Sequence, residues 1–216
     1  LCKGGKMMKG LLLKDLYMAK SNILVTIVSL IVLGFGLSVL LEASALLVLA
    51  PPCATTAVFI SITSDANSKW NKNVITMPVT RSQIIGEKFI LYIILSVLGI
   101  IAALIPCGVL AIFDAEISLS SLCLYGSIGI SAALLAGSIS LPCAYFFDAD
   151  KSQIVFMMSF LAATGIITAL VLLVNLIVPV KDSILMPFNI VLIIAVIIFF
   201  VSHKIAVMAY QKKDIT

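Results

Sequence analysis

Six apolar runs constrain this chain more than any other feature. They cover roughly Asn22–Leu41, Ala43–Thr63, Phe89–Phe113, Ile117–Tyr145, Ile154–Val180 and Ser183–Ser202, and none holds an Asp, Glu, Lys, Arg or His in its interior. A helix crosses the hydrocarbon core of a bilayer in about 20 residues, so each run is long enough to span. Only 11% of the residues are charged, against about 25% in an ordinary soluble domain. The expected fold is therefore an all-α membrane protein with six transmembrane helices, a single transmembrane domain over 1–216 that leaves no length for a soluble enzymatic domain.

Charge placement gives the expected orientation. Thirteen of the fourteen lysines and arginines lie before the first run, between the second and third, between the fourth and fifth, or after the sixth. The opposite side holds only Lys181. Positive residues stay on the cytoplasmic side, so both termini are expected there, with Asp114 and Glu116 outside. Residues 6–20 place Lys6, Lys9, Lys14 and Lys20 on one half of a helical wheel and Met7, Met8, Leu11, Leu12 and Leu16 on the other. Leu13 and Tyr17 fall on the basic half and Asp15 on the apolar half, so the separation is imperfect. This reads as an amphipathic helix lying at the membrane interface, or equally as a topology signal with no further role.

Ser64–Lys88 is the one long polar interval between two apolar runs. Asp65 can cap a short helix over Asn67–Val74, because its carboxylate can accept hydrogen bonds from unpaired first-turn amides. Pro78 forces Met77 out of the helical region and ends that helix. Thr80-Arg81-Ser82-Gln83 has the capping-box spacing, so a new helix should start there. Residues 64–82 are thus expected to form one cytoplasmic element: a short helix, a break and a helix start. Trp70, flanked by Lys69 and Lys72, suits either the headgroup belt or a groove in a partner protein.

Asp65, Trp70, Met77-Pro78-Val79-Thr80-Arg81 and Lys88 together resemble the loop between spans two and three of type-2 ABC permeases, the small six-span bacterial exporter subunits for peptides, lantibiotics and cytolytic peptides. The opening Met8-Lys9-Gly10-Leu11-Leu12-Leu13-Lys14-Asp15-Leu16 is similar to the start of those subunits, and residues before Met8 are left out of the fold expectation. The resemblance implies a multi-pass subunit of the bacterial cytoplasmic membrane, paired with a second permease, identical or paralogous. It also implies two copies of a separate ABC ATPase that bind ATP and Mg. Asp65, Trp70, Pro78, Thr80 and Arg81 would couple to the ATPase, with Lys88 where the element enters the third span. Family precedent makes the cargo an amphipathic peptide or hydrophobic molecule. Nucleic acid is not an expected partner.

Missing motifs narrow the chemistry. The sequence has no H-E-x-x-H, no G-x-S-x-G and no phosphate-cradling G-x-x-x-x-G-K-[ST], so catalysis and ATP hydrolysis are not expected of this chain. Runs without ionisable residues disfavour a proton-coupled carrier. An ATPase-independent carrier and a non-transporting immunity or sensor subunit are the alternatives. No residues are assigned to a substrate path. The five cysteines contain no C-x-x-C pair and suggest neither a metal site nor a disulfide framework, although Cys107 and Cys123 could meet near the outer face. Pro51 and Pro52 should kink the second span, either to line a path or dimer seam or to fit a neighbouring helix. Pro142 is a possible turn in the fourth. Gly129, Ala133 and Gly137 give that helix a small-residue face for close packing.

Overall fold

The computed structural model describes residues 2–37, 43–68, 70, 80–112, 118–146, 152–177 and 185–212. They form six long helices: α1 (Cys2–Leu37), α2 (Leu46–Asn67), α3 (Arg81–Ile112), α4 (Leu119–Phe146), α5 (Ser152–Ile177) and α6 (Leu185–Lys212), with a 3-10 turn at Ala43–Ala45. Each contains a segment long and apolar enough to cross a membrane. Contacts fix alternating directions. Asp65 near the end of α2 meets Asp15 near the start of α1 through Lys88 near the start of α3, and Tyr92, early in α3, meets Ala133 well along α4.

The expected separate interfacial helix over 6–20 is not found. Those residues and the first span form one continuous helix of 36 residues, because nothing between Lys14 and Gly34 is a proline or glycine that would break it. At 1.5 Å per residue it is about 54 Å long, well beyond the ~30 Å hydrocarbon core, so part of it projects from the membrane.

Residue size decides which helices lie inside. α2 and α4 are the most buried, α1 and α5 the least. α2 carries Ala50, Ala54 and Ala57 and α4 carries Ala132, Ala133 and Ala136, all buried, and such small side chains let backbones approach closely. Leu24, Val25, Val28, Val32 and Leu33 of α1 are exposed. Between the inner helices, Phe59, Tyr92, Phe156, Phe89 and Phe199 form an aromatic cluster, with ring centroids 4.7 Å apart for Phe59 and Phe156 and 5.1 Å for Phe89 and Phe199. The Tyr92 hydroxyl donates to the Ala133 carbonyl at 2.6 Å and the Ser202 hydroxyl to the Ser138 carbonyl at 2.6 Å, tying α3 and α6 to α4.

The prolines are packing features. Pro51 and Pro52 are buried inside α2, which stays helical through them. Lacking an N–H, Pro51 leaves the Leu47 carbonyl without its usual partner four residues on. Gly129 of α4 lies against that carbonyl so closely that a Cβ there would overlap it. A Cβ on Gly99 of α3 would come within 2.6 Å of the Ala50 carbonyl in the same region. The small-residue face thus serves packing within the subunit, as its spacing suggests. Pro142 does not end α4, which continues to Phe146. Cys53, Cys107, Cys123 and Cys143 are thiols, so the pairing of Cys107 with Cys123 does not form.

Candidate functional site: an ionic joint at the root of the polar connection

Where α1, α2 and α3 come together, four charged side chains alternate in sign. Lys88 of α3 pairs with Asp15 of α1 and, at 2.7 Å, with Asp65 of α2. Its ammonium also donates to the Ser61 hydroxyl at 2.7 Å. Lys14 pairs with Asp65 and lies 3.3 Å from Asp15. An ammonium has three donors, and Lys88 has three acceptors for them. Asp15, Lys88 and Asp65 are 1%, 4% and 6% exposed, so this is a buried network and not a surface pair screened by water.

Depth explains the arrangement. Asp65 and Lys88 each stand at the margin of an apolar run, where an unpaired charge would face hydrocarbon on one side, and Asp15 of α1 is buried against Lys88. Mutual pairing removes much of that cost, and it binds three helices that sequence places far apart. Glu87 is also buried, at 2% exposed, within hydrogen-bonding reach of Asp15, and its Oε1 has no hydrogen-bond donor among the described residues. If ionised, Glu87 would bring the cluster to three carboxylates against two ammoniums. Glu87→Gln removes that excess and adds N–H donors beside carboxylate oxygens. The thermal midpoint of the detergent-purified variant is therefore expected to match or exceed that of the parent; a fall of several degrees would show that Glu87 is needed as an anion.

Trp70 belongs to the same joint. It is helical and half-buried, packed on Leu11 of α1 and Ile84 of α3. The Lys14 ammonium lies 4.2 Å from its ring centroid, within cation–π range. Lys14 therefore touches Trp70, Asp65 and Asp15, linking the polar connection to the helix bases. Thr80 caps α3 as its spacing predicts: its N–H donates to Gln83 Oε1 at 3.0 Å and its Oγ1 accepts from the Gln83 N–H at 3.3 Å.

Other expectations change. Asp65 does not cap a following helix; it lies within the last turn of α2, which ends at Asn67, and its carboxylate faces the two lysines. A buried ion pair outweighs the gain from capping exposed amides, because an unpaired carboxylate at that depth costs several kcal/mol where a cap contributes about 1. Of the expected coupling helix, only Trp70 and the first residues of Asn67–Val74 lie among the described residues. Pro78 and the Arg81 side chain lie outside them; the Arg81 backbone opens α3. Sequence reasoning did not assign Lys14, Asp15, Ser61 or Glu87 to the site. The signal for Asp15 was its place on the apolar half of the α1 wheel.

Six helices long and apolar enough to span, three of them tied together by a buried ionic joint, make this a multi-pass membrane protein. Residues 10–211 match the family described as ABC-2 family transporter protein, and the chain belongs to that family. Its members generally lack catalytic activity of their own, and a permease of this kind implies a partner ATPase. No curated protein and no solved structure matched the chain.

Proposed function

We propose that this chain is the membrane-spanning subunit of an ATP-driven exporter that moves amphipathic or hydrophobic cargo, peptide or drug-like, out of the cell. In this reading the termini and the connection 64–88 face the cytoplasm, two ATPase copies grip the connection, and a second permease, identical or paralogous, completes the path. The observation that carries it is the joint: Trp70, Lys14, Asp15, Asp65 and Lys88 link the polar connection to the bases of three helices. ATPase closure on ATP would push the connection, and a rigid joint would pass that push to α1, α2 and α3 together instead of bending the loop. A path walled by apolar and hydroxyl side chains, without charge in the interior of the apolar runs, suits cargo that enters sideways from lipid. Pro78, Thr80 and Arg81 remain part of the proposed coupling element beside Trp70, Thr80 as the cap that stiffens it and Arg81 as its charged contact to the ATPase.

Trp70→Ala tests the reading. Membrane insertion should be unchanged, because Trp70 is only half-buried at the edge of the bundle. Cargo flux in vesicles with the co-purified ATPase should fall about tenfold or more, the cost of losing roughly 1.4 kcal/mol of productive coupling. Normal flux with normal assembly would falsify the coupling role. Flux from an ion gradient in vesicles without ATP would replace the exporter reading with that of a secondary carrier.

A further inference from the structure

The face of α1 turned away from the ionic joint carries a groove of about 570 Å³. It extends between Leu13 and Val28 and is closed on one side by Leu98 of α3. The volume is within the range of small-molecule sites, about 300–1,000 Å³. Its walls are almost wholly apolar, with Leu16, Ile23 and Ile27 among them, and Lys20 is the one charged residue in the lining. Tyr17 lies one helical turn away and is exposed.

We propose that this groove binds an anionic phospholipid, with its headgroup on Lys20 and Tyr17 and an acyl chain along Ile23, Ile27 and Leu98. Lys20 stands two residues before the apolar run begins at Asn22, so its stem can lie along the apolar wall while the ammonium reaches headgroup level. Leu98 is ten residues beyond Lys88 on α3, about 15 Å deeper by helical rise, where an acyl chain and not a headgroup belongs. Lys14, the neighbouring cation, is already taken up by Asp15, Asp65 and the Trp70 ring. Lys20 has no ion-pair partner among the described residues. A lipid phosphate without a compensating cation supplies the missing charge.

The test depends on neither cargo nor ATPase. The full chain is purified in detergent, mixed with equal amounts of phosphatidylglycerol and phosphatidylcholine of the same chain length, and its retained lipids are counted by native mass spectrometry. Phosphatidylglycerol is expected to be retained about fivefold over phosphatidylcholine, the preference that one lysine near an anionic headgroup gives. Lys20→Gln should bring the ratio to parity, and Ile27→Trp, which fills the apolar part, should lower retention of both lipids. Equal retention by the unaltered protein would mean annular lipid only and overturn the site, as would a preference that survives Lys20→Gln. Ile27→Trp changing oligomeric state while the lipid ratio stays fixed would give the groove to a second copy of the chain and also overturn it.

Discussion

Lys88→Met is expected to lower stability by about 3–5 kcal/mol, the range for breaking a buried ion pair by removing one partner. Asp15 and Asp65 would then share a water-poor pocket with only Lys14 to compensate them, and the Ser61 hydroxyl would lose its donor. Against a typical total of about 5–15 kcal/mol, this is enough to reduce the yield of monodisperse protein sharply. The network is separated from a simple packing loss by adding a second change. Asp15→Asn in the Lys88→Met background leaves Lys14 and Asp65 as a neutral pair, so part of the lost stability should return. A double-mutant cycle should give a coupling energy in the range of roughly 0.5–3 kcal/mol, read from thermal or denaturant midpoints in detergent. Purely additive effects would show that the three helices are held by something else. In the transport reading, the double variant should also fold better than it transports, because the joint has lost the group that links α3 to α1.

Gly129→Ala is expected to be nearly as damaging despite adding a single methyl group. The new Cβ would overlap the Leu47 carbonyl and come within 3.1 Å of the Val48 Cα, both backbone atoms of α2 that cannot rotate aside. Relief requires α4 to move off α2, because the contact here is backbone against backbone. Overpacking of this kind typically costs about 1–3 kcal/mol, and a clash with rigid backbone belongs at the upper end. Gly126→Ala is the matched control, one turn earlier on α4, where a Cβ has nothing within 4 Å. Thermal midpoints of the two purified variants decide the matter. Equal midpoints would mean that α2 and α4 are not in the close contact described here.

Much of the architecture is legible in the chain because a bilayer accepts few spanning structures. Six uncharged runs of sufficient length have to become helices, since backbone polar groups in hydrocarbon must be paired within their own segment. The Thr80–Gln83 cap and the packing role of Gly129, Ala133 and Gly137 are legible for similar reasons: each depends on a fixed spacing along one helix. The break expected near Lys20 is not there, since amphipathic and spanning stretches can share one helix when no proline intervenes. Asp65 shows the limit of local reading. Its spacing suits a cap, yet its partners are 51 residues back at Lys14 and 23 residues on at Lys88.

The hydropathy of the chain is enough to make it a helical protein with six candidate membrane spans, and the order of its residues is enough to place the polar connection between the second and third. That Lys14, Asp15, Asp65, Lys88 and Trp70 form one joint emerges once the helices pack. Span formation depends on the hydropathy of consecutive residues, which a chain displays directly. Charge pairing across three helices depends on how each rotates about its axis when α1 packs on α2 and α3, and that rotation is set by close contacts such as Gly34 against Leu46 and Pro106.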